Sequence, residues 1–207
     1  MIYLEPKWKS YIVTSNEPVF SKEQCEHIIR TGQALPQEKA KVGADKTKLT
    51  TDNPQKIKNA GNDDKDKRIT TVSWLPFDVP EAKPVYDRMD KWIRNININH
   101  FGFEGIQITE QAQYTEYPTG AFYNWHTDND ASMANQPPVR KISMTCLLSD
   151  PKDFEGGELE LIDDQARPEM KQGHAIFFAS FIRHRVKPVT KGNRKSLVMW
   201  FGGPPFK

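Results

Sequence analysis

The chain has 207 residues, 29 of them basic and 27 acidic, for a net charge of +2, and 37% of it is hydrophobic. That length suits one domain able to bury about 70% of its unfolded surface, and the near balance of charge offers no field to draw nucleic acid or a membrane surface. No window approaches the roughly 18 consecutive apolar residues that a membrane span needs.

The opening stretch MIYLEPKWKS has no apolar run of signal-peptide length, so a cytoplasmic setting is expected. The two cysteines, Cys25 and Cys146, form no CxxC and no disulfide framework, which fits a reducing compartment. SYIVT, residues 10–14, reads as a short strand. SKEQCEHIIR then opens a helix: Ser21 suits an N-cap, Gln24 occupies the reciprocal position of a capping box, and Gly32 is its expected end. Between residues 35 and 66 the apolar pattern disappears into a Lys-, Asp- and Asn-rich run. A loop of that length is expected to be flexible, either a solvated segment or a lid.

RITTVSWLP resumes as a strand. A second helix is expected from about residue 84 to 99, where Val85, Met89, Trp92, Ile93 and Ile96 share one face and Pro84 fits the first turn. After Gly105 the rhythm is all-β. The strand candidates are IQITEQAQYTEY, AFYNWHTD, RKISMTCLLS, GELELI, HAIFFAS, HRVKPVT and KSLVMWFG. They are separated by PTG, NQPP, DPKDFEGG, RPEMKQG and KGN. The expected architecture is mainly β with flanking helices: a sandwich, barrel or jelly roll over 106–203, and an N-terminal part over 1–105 whose helices pack on one sheet, all in one domain.

The chemistry concentrates in a few residues. His126 and Asp128 stand two apart at a strand end, so both side chains point to one face. Of the five histidines, His27, His100 and His174 have plain structural placements, whereas His184 lies between two apolar strands with Arg194 ten residues on. Two imidazoles and a carboxylate, His126, Asp128 and His184, form a facial triad that suits non-haem Fe(II) and leaves positions open. The same set could hold zinc for hydrolysis. Arg194 separates the readings: an inward guanidinium could hold the far carboxylate of a dicarboxylate co-substrate, whereas in a basic KGNRK turn it would be a surface residue.

QYTEYPTGAFYNWHTD resembles the Fe(II)/2-oxoglutarate-dependent dioxygenases, in particular their prolyl 4-hydroxylase-like branch, and RKISMTCLLSDPKDFEGGELEL and GHAIFFASFIRHRVKPVTKGNRKSLVMWFGG are similar to that branch's following strands. The resemblance covers about residues 106–203. It implies a double-stranded β-helix (jelly-roll) core, with iron held by His126, Asp128 and His184 and no catalytic residue beyond these ligands. Arg194 would hold the distal carboxylate of 2-oxoglutarate, Tyr117 would help place the co-substrate, and Ser196 could add a hydroxyl. Tyr123 and Trp200 match pocket-lining aromatics. One departure concerns the strand MTCLLS, where some animal relatives have a tyrosine that also touches this carboxylate; here Leu147 stands there.

The implied activity is hydroxylation of a C–H bond coupled to conversion of 2-oxoglutarate and O2 to succinate, with ascorbate as a reductant. The implied partner is a proline-containing peptide or protein, with no nucleic acid and no membrane. Two alternatives stay open: the same chemistry on a free amino acid or other small molecule, and a cupin-like metal-binding jelly roll that is not an oxygenase.

Overall fold

The computed structural model describes residues 10–40, 65–129, 137–163 and 165–206. Most of the expected 35–66 loop, residues 41–64, lies outside them. Strands numbered in chain order form two antiparallel sheets. The larger has the order β1 (Ile12–Thr14), β11 (Ala175–Ala179), β8 (Val139–Leu147), β13 (Val189–Gly203), β6 (Ala112–Pro118), β4 (Thr71–Leu75) and β2 (Glu38–Lys39). Two further strands, β5 (Gln107–Ile108) and β9 (Phe154–Gly156), also pair with β13. The smaller sheet has the order β10 (Leu159–Leu161), β12 (His184–Val186), β7 (Phe122–His126) and β3 (Arg68–Ile69). This is the expected jelly roll. No helix among the described residues is long and apolar enough to cross a membrane.

Helix α1 (Lys22–Ala34) starts as its sequence requires. The Ser21 hydroxyl accepts from the Gln24 N–H at 3.3 Å, and the Ser21 N–H donates to Gln24 Oε1 at 2.9 Å. It does not stop at Gly32. A Cβ there would lie 2.3 Å from the ring of Tyr114, so the glycine is a packing residue that lets the helix lie flat on β6, not a cap. Helix α2 (Lys83–Ile96) follows a 3₁₀ turn, Pro80–Ala82, and buries Val85, Met89, Ile93 and Ile96 as the periodicity requires, with Trp92 half-buried.

Two other expectations are corrected. RITTVSWLP is not one strand. Arg68–Ile69 pairs with β7 in the small sheet and Thr71–Leu75 pairs with β6 in the large one, so the segment crosses from one sheet to the other at Thr70. KGN is not a break either. β13 runs straight through it because β9 and β6 both pair there, Lys191 with Glu155 and Asn193 with Pro118. A Cβ at Gly192 would lie 2.1 Å from the Asp153 carbonyl oxygen, so glycine permits the close approach of β9.

The two faces of the large sheet differ in chemistry. Cross-strand partners share a face. Tyr114, Leu197 and Cys146 form one row, Met199 pairs with Met144 and Phe201 with Ile142. These join the core with Cys25, Ile28, Met89 and Ile93 of the two helices. The other face carries Arg194 opposite Tyr117, Ser196 opposite Thr115 and Leu147, Val198 opposite Gln113 and Thr145, and Trp200 opposite Ser143. Arg194, Ser196, Thr115, Gln113, Thr145 and Ser143 are all buried. Buried polar groups need partners, and this face turns toward the small sheet, from whose side Asp128 meets Ser143 and Arg68 meets Gln113.

Candidate active site

β7 and β12 are neighbours in the small sheet, and their pairing sets His126 directly opposite His184. Asp128 leaves the end of β7 with its N–H on the Ser180 carbonyl at 2.9 Å. One ligand atom from each of His126, Asp128 and His184 lies within 4.8 Å of the others, the one such group among the described residues. Asp128 Oδ1 is 3.6 Å from His126 Nε2 and Asp128 Oδ2 is 3.5 Å from His184 Nε2.

Both rings are oriented by main-chain carbonyls. His126 Nδ1 lies 2.8 Å from the Asn124 oxygen and His184 Nδ1 lies 3.0 Å from the Ile182 oxygen. A carbonyl only accepts, so Nδ1 carries the hydrogen and each Nε2 turns its lone pair to the cluster. Burial, reinforced by His184, pushes the pKa of His126 down to about 3 against the pull of Asp128. Burial alone would raise the Asp128 carboxyl, but His184, His126, Arg140 and a hydrogen bond from Ser143 outweigh it and bring it to about 2. At neutral pH the site therefore offers an ionised carboxylate beside a neutral His126. Two nitrogens and one oxygen converging from one side suit a divalent transition metal such as Fe(II) with positions left open.

The Ser143 hydroxyl donates to Asp128 Oδ2 at 2.7 Å and contacts the Ser180 hydroxyl at 2.9 Å. Ser143 belongs to the large sheet, so this bond ties the triad across the gap. Outer groups that orient a ligand typically change metal affinity about 10–100-fold. Ser143→Ala is expected to weaken Fe(II) binding by that order in a competition titration while leaving the fold intact. Unchanged affinity would mean that the main-chain bond to Ser180 positions Asp128 alone.

Arg194 is 1% exposed, in a strand and not in a surface turn. Its Nη1 donates to the Ser196 hydroxyl at 3.2 Å, its Nη2 reaches Met170 Sδ at 3.9 Å, and its guanidinium sits 5.3 Å from the centre of the Tyr117 ring. Burial lowers its pKa, opposed by Tyr117 and Cys146. Among the described residues it meets no carboxylate. An unpaired buried cation is costly, and the missing partner fits the far carboxylate of a dicarboxylate. Gly157 guards the approach: a Cβ there would lie 2.9 Å from Arg194 Cδ. Leu147 pairs with Ser196 and presents no hydroxyl at that level.

Tyr123 stacks on His126 at 3.5 Å and 13°, so it is a wall of the site. Trp200 is one step removed. It packs on Trp74 at 6.1 Å and under Arg140 at 4.0 Å, opposite Ser143. His27 and His174 are held elsewhere by the carbonyls of Glu81 and Ser15. Three residues of the site escape sequence reasoning: Ser143, Arg140, which is clamped to Glu110 at 2.6 and 2.5 Å, and Arg68. No local pattern marks them.

Two imidazoles and one carboxylate converging beside the small sheet of a jelly roll form a candidate metal centre of the facial-triad type. Residues 112–202 match the family model described as the 2OG-Fe(II) oxygenase superfamily. A PKHD-type hydroxylase of Colwellia psychrerythraea is 34% identical over 138 residues, which cover 58% of this chain and 61% of that protein. One from Xanthomonas euvesicatoria is 35% identical over 94 residues, 42% of this chain and 41% of the relative. The chain thus spans about half the length of the curated relatives it matches. Two solved structures share the fold. A Pseudomonas putida prolyl-4-hydroxylase has a TM-score of 0.65 at 18% identity, covering 93% of this chain and 92% of its own. A Trichoplax adhaerens prolyl hydroxylase, in complex with a hypoxia inducible factor peptide, has a TM-score of 0.71 at 16% identity, covering 93% of this chain and 84% of its own.

Proposed function

We propose that this protein is an Fe(II)/2-oxoglutarate-dependent dioxygenase that hydroxylates a prolyl residue in a peptide or protein. The observation that carries the reading is the buried Arg194, without a carboxylate partner among the described residues, on the polar sheet face that also supplies Ser143 to the triad. A metal-binding jelly roll that uses no dicarboxylate has no need of it.

His126, Asp128 and His184 would hold the metal. Arg194 would take the distal carboxylate of 2-oxoglutarate by two parallel hydrogen bonds, with Ser196 and Tyr117 beside it. Bound Fe(II), 2-oxoglutarate and O2 supply hydroxylation of an unactivated C–H bond coupled to decarboxylation to succinate, with ascorbate as a reductant. The main-chain contacts at both Nδ1 atoms keep the imidazoles in the ligating tautomer, and Tyr123 walls one side of the site. PKHD-type hydroxylase relatives and prolyl hydroxylases of the same fold support a prolyl substrate.

Incubation with Fe(II), 2-oxoglutarate, ascorbate and a panel of proline-containing peptides is expected to yield a product heavier by one oxygen atom in mass spectrometry, with matching succinate. Turnover on small molecules with no peptide product would move the substrate to the free amino acid reading.

A further inference from the structure

Arg68 opens β3 at the edge of the small sheet, opposite Tyr123, and is only 8% exposed. Its Nε donates to the Thr70 hydroxyl at 2.8 Å, and one Nη2 hydrogen goes across the gap to Gln113 Oε1 at 3.0 Å. Its guanidinium lies over the Tyr123 ring, 4.4 Å from the centre, and that same ring is stacked on the triad residue His126. All three partners are neutral. Arginine has five N–H donors in a rigid fork. Among the described residues, both Nη1 hydrogens and the second on Nη2 are left over, which is the end-on edge that grips a carboxylate.

Two other arginines of this sheet pair are already held by carboxylates. Arg140 places Nε and Nη2 on Glu110, and Arg185 places the same two atoms on Glu160. Arg194 faces the co-substrate position. Arg68 is thus a second buried guanidinium with no carboxylate among the described residues, and it stands beside the metal ligands where a substrate must sit. Because a buried cation lacking a counter-ion is costly, its retention at this place calls for an anion that arrives with the ligand.

We infer that Arg68 anchors a carboxylate of the substrate through Nη1 and Nη2, so that the substrate carries a negative charge next to the carbon that is hydroxylated. The carboxylate is either an Asp or Glu side chain beside the target residue or a free α-carboxylate. This rests on the reading that the triad is where substrate reacts. Thr70 and Gln113 act as positioning residues that hold the fork in plane.

The test uses the full chain with Mn(II), which cannot support turnover, and 2-oxoglutarate. Fluorescein-labelled proline peptides carry Asp on either side of the proline, Asn at the same places, or a proline ending in a free acid or an amide. A carboxylate-bearing peptide is expected to bind about tenfold or more tighter than its neutral counterpart, as hydrogen bonds to a charged group do. Preference for Asp peptides identifies a side chain, and preference for the free acid identifies the α-carboxylate. Arg68→Gln is expected to bring the ratio near one while the affinity for 2-oxoglutarate stays at the wild-type value. If that variant does not fold, Arg68→Lys decides, since it keeps the charge but loses the fork: the preference should fall several-fold. Equal binding of charged and neutral peptides by the wild type, no peptide binding at all, or an unchanged preference in the variants overturns the proposal. A preference that depends on Arg68 with no oxygenated product under Fe(II) would instead remove the hydroxylase reading and leave this site standing. Turnover indifferent to the carboxylate would do the reverse.

Discussion

His126→Ala, Asp128→Ala and His184→Ala are each expected to bring 2-oxoglutarate turnover to background and iron content to a trace. The triad is the minimum that holds a metal with positions open for other ligands, so no member is redundant. The three ligand atoms sit within 4.8 Å of one another because cross-strand pairing and two main-chain carbonyls hold the rings in place. The loss should therefore appear as lost binding and not as lost fold: the circular dichroism of each variant should match the wild type. Asp128→Asn is the sharper probe. It keeps the shape and removes the charge that His184, His126, Arg140 and Ser143 stabilise against burial. It should bind Fe(II) far more weakly while melting close to the wild type. Succinate formation at the wild-type level in any of these variants would sink the assignment.

Arg194→Met should separate co-substrate binding from metal binding. The guanidinium is fully buried, and its protein neighbours are a hydroxyl, a thioether and an aromatic ring. Methionine fills much of the same volume without a charge to desolvate. Replacing buried charge by apolar volume is often neutral or stabilising, so the metal-free melting temperature should hold or rise. Losing one partner of a buried charge pair at a binding site costs about 2–5 kcal/mol, which is about 30-fold to several thousand-fold in affinity. The 2-oxoglutarate requirement should rise by that order, iron content should stay near the wild type, and the stabilisation given by added 2-oxoglutarate should disappear. An unchanged requirement would remove Arg194 from the site. A fall in iron content equal to that of the triad variants would mean that the arginine supports the metal ligands instead.

Local chemistry was readable where a feature depends on neighbours in the chain. The capping box at Ser21 and Gln24, the buried stripe of α2 and the shared face of His126 and Asp128 all follow from spacings of two to four residues. The expectations that failed depend on distant chain. Gly32 looks like a helix stop, but the ring of Tyr114 occupies the space its Cβ would need. KGN looks like a turn, but two neighbouring strands supply hydrogen bonds that carry β13 through it. RITTVSWLP has strand composition throughout, and only the two sheets reveal that it changes partner at Thr70.

For the site, the chemical types and their order are legible along the chain: a His-x-Asp pair, a distal histidine, an arginine ten residues on, and the strands that carry them. It takes the packed sheets to bring His126 and His184 together, to turn both Nε2 atoms to one place, to brace Asp128 with Ser143, and to set Arg68 beside Tyr123. Alternation along a strand encodes which residues share a face, but not which face a closed double sheet turns inward. The register between strands distant in sequence is set by the packing of the whole core. For that reason nothing local marks the serine in SMTC or the arginine at the head of RITT as part of the site; bringing the two sheets together does.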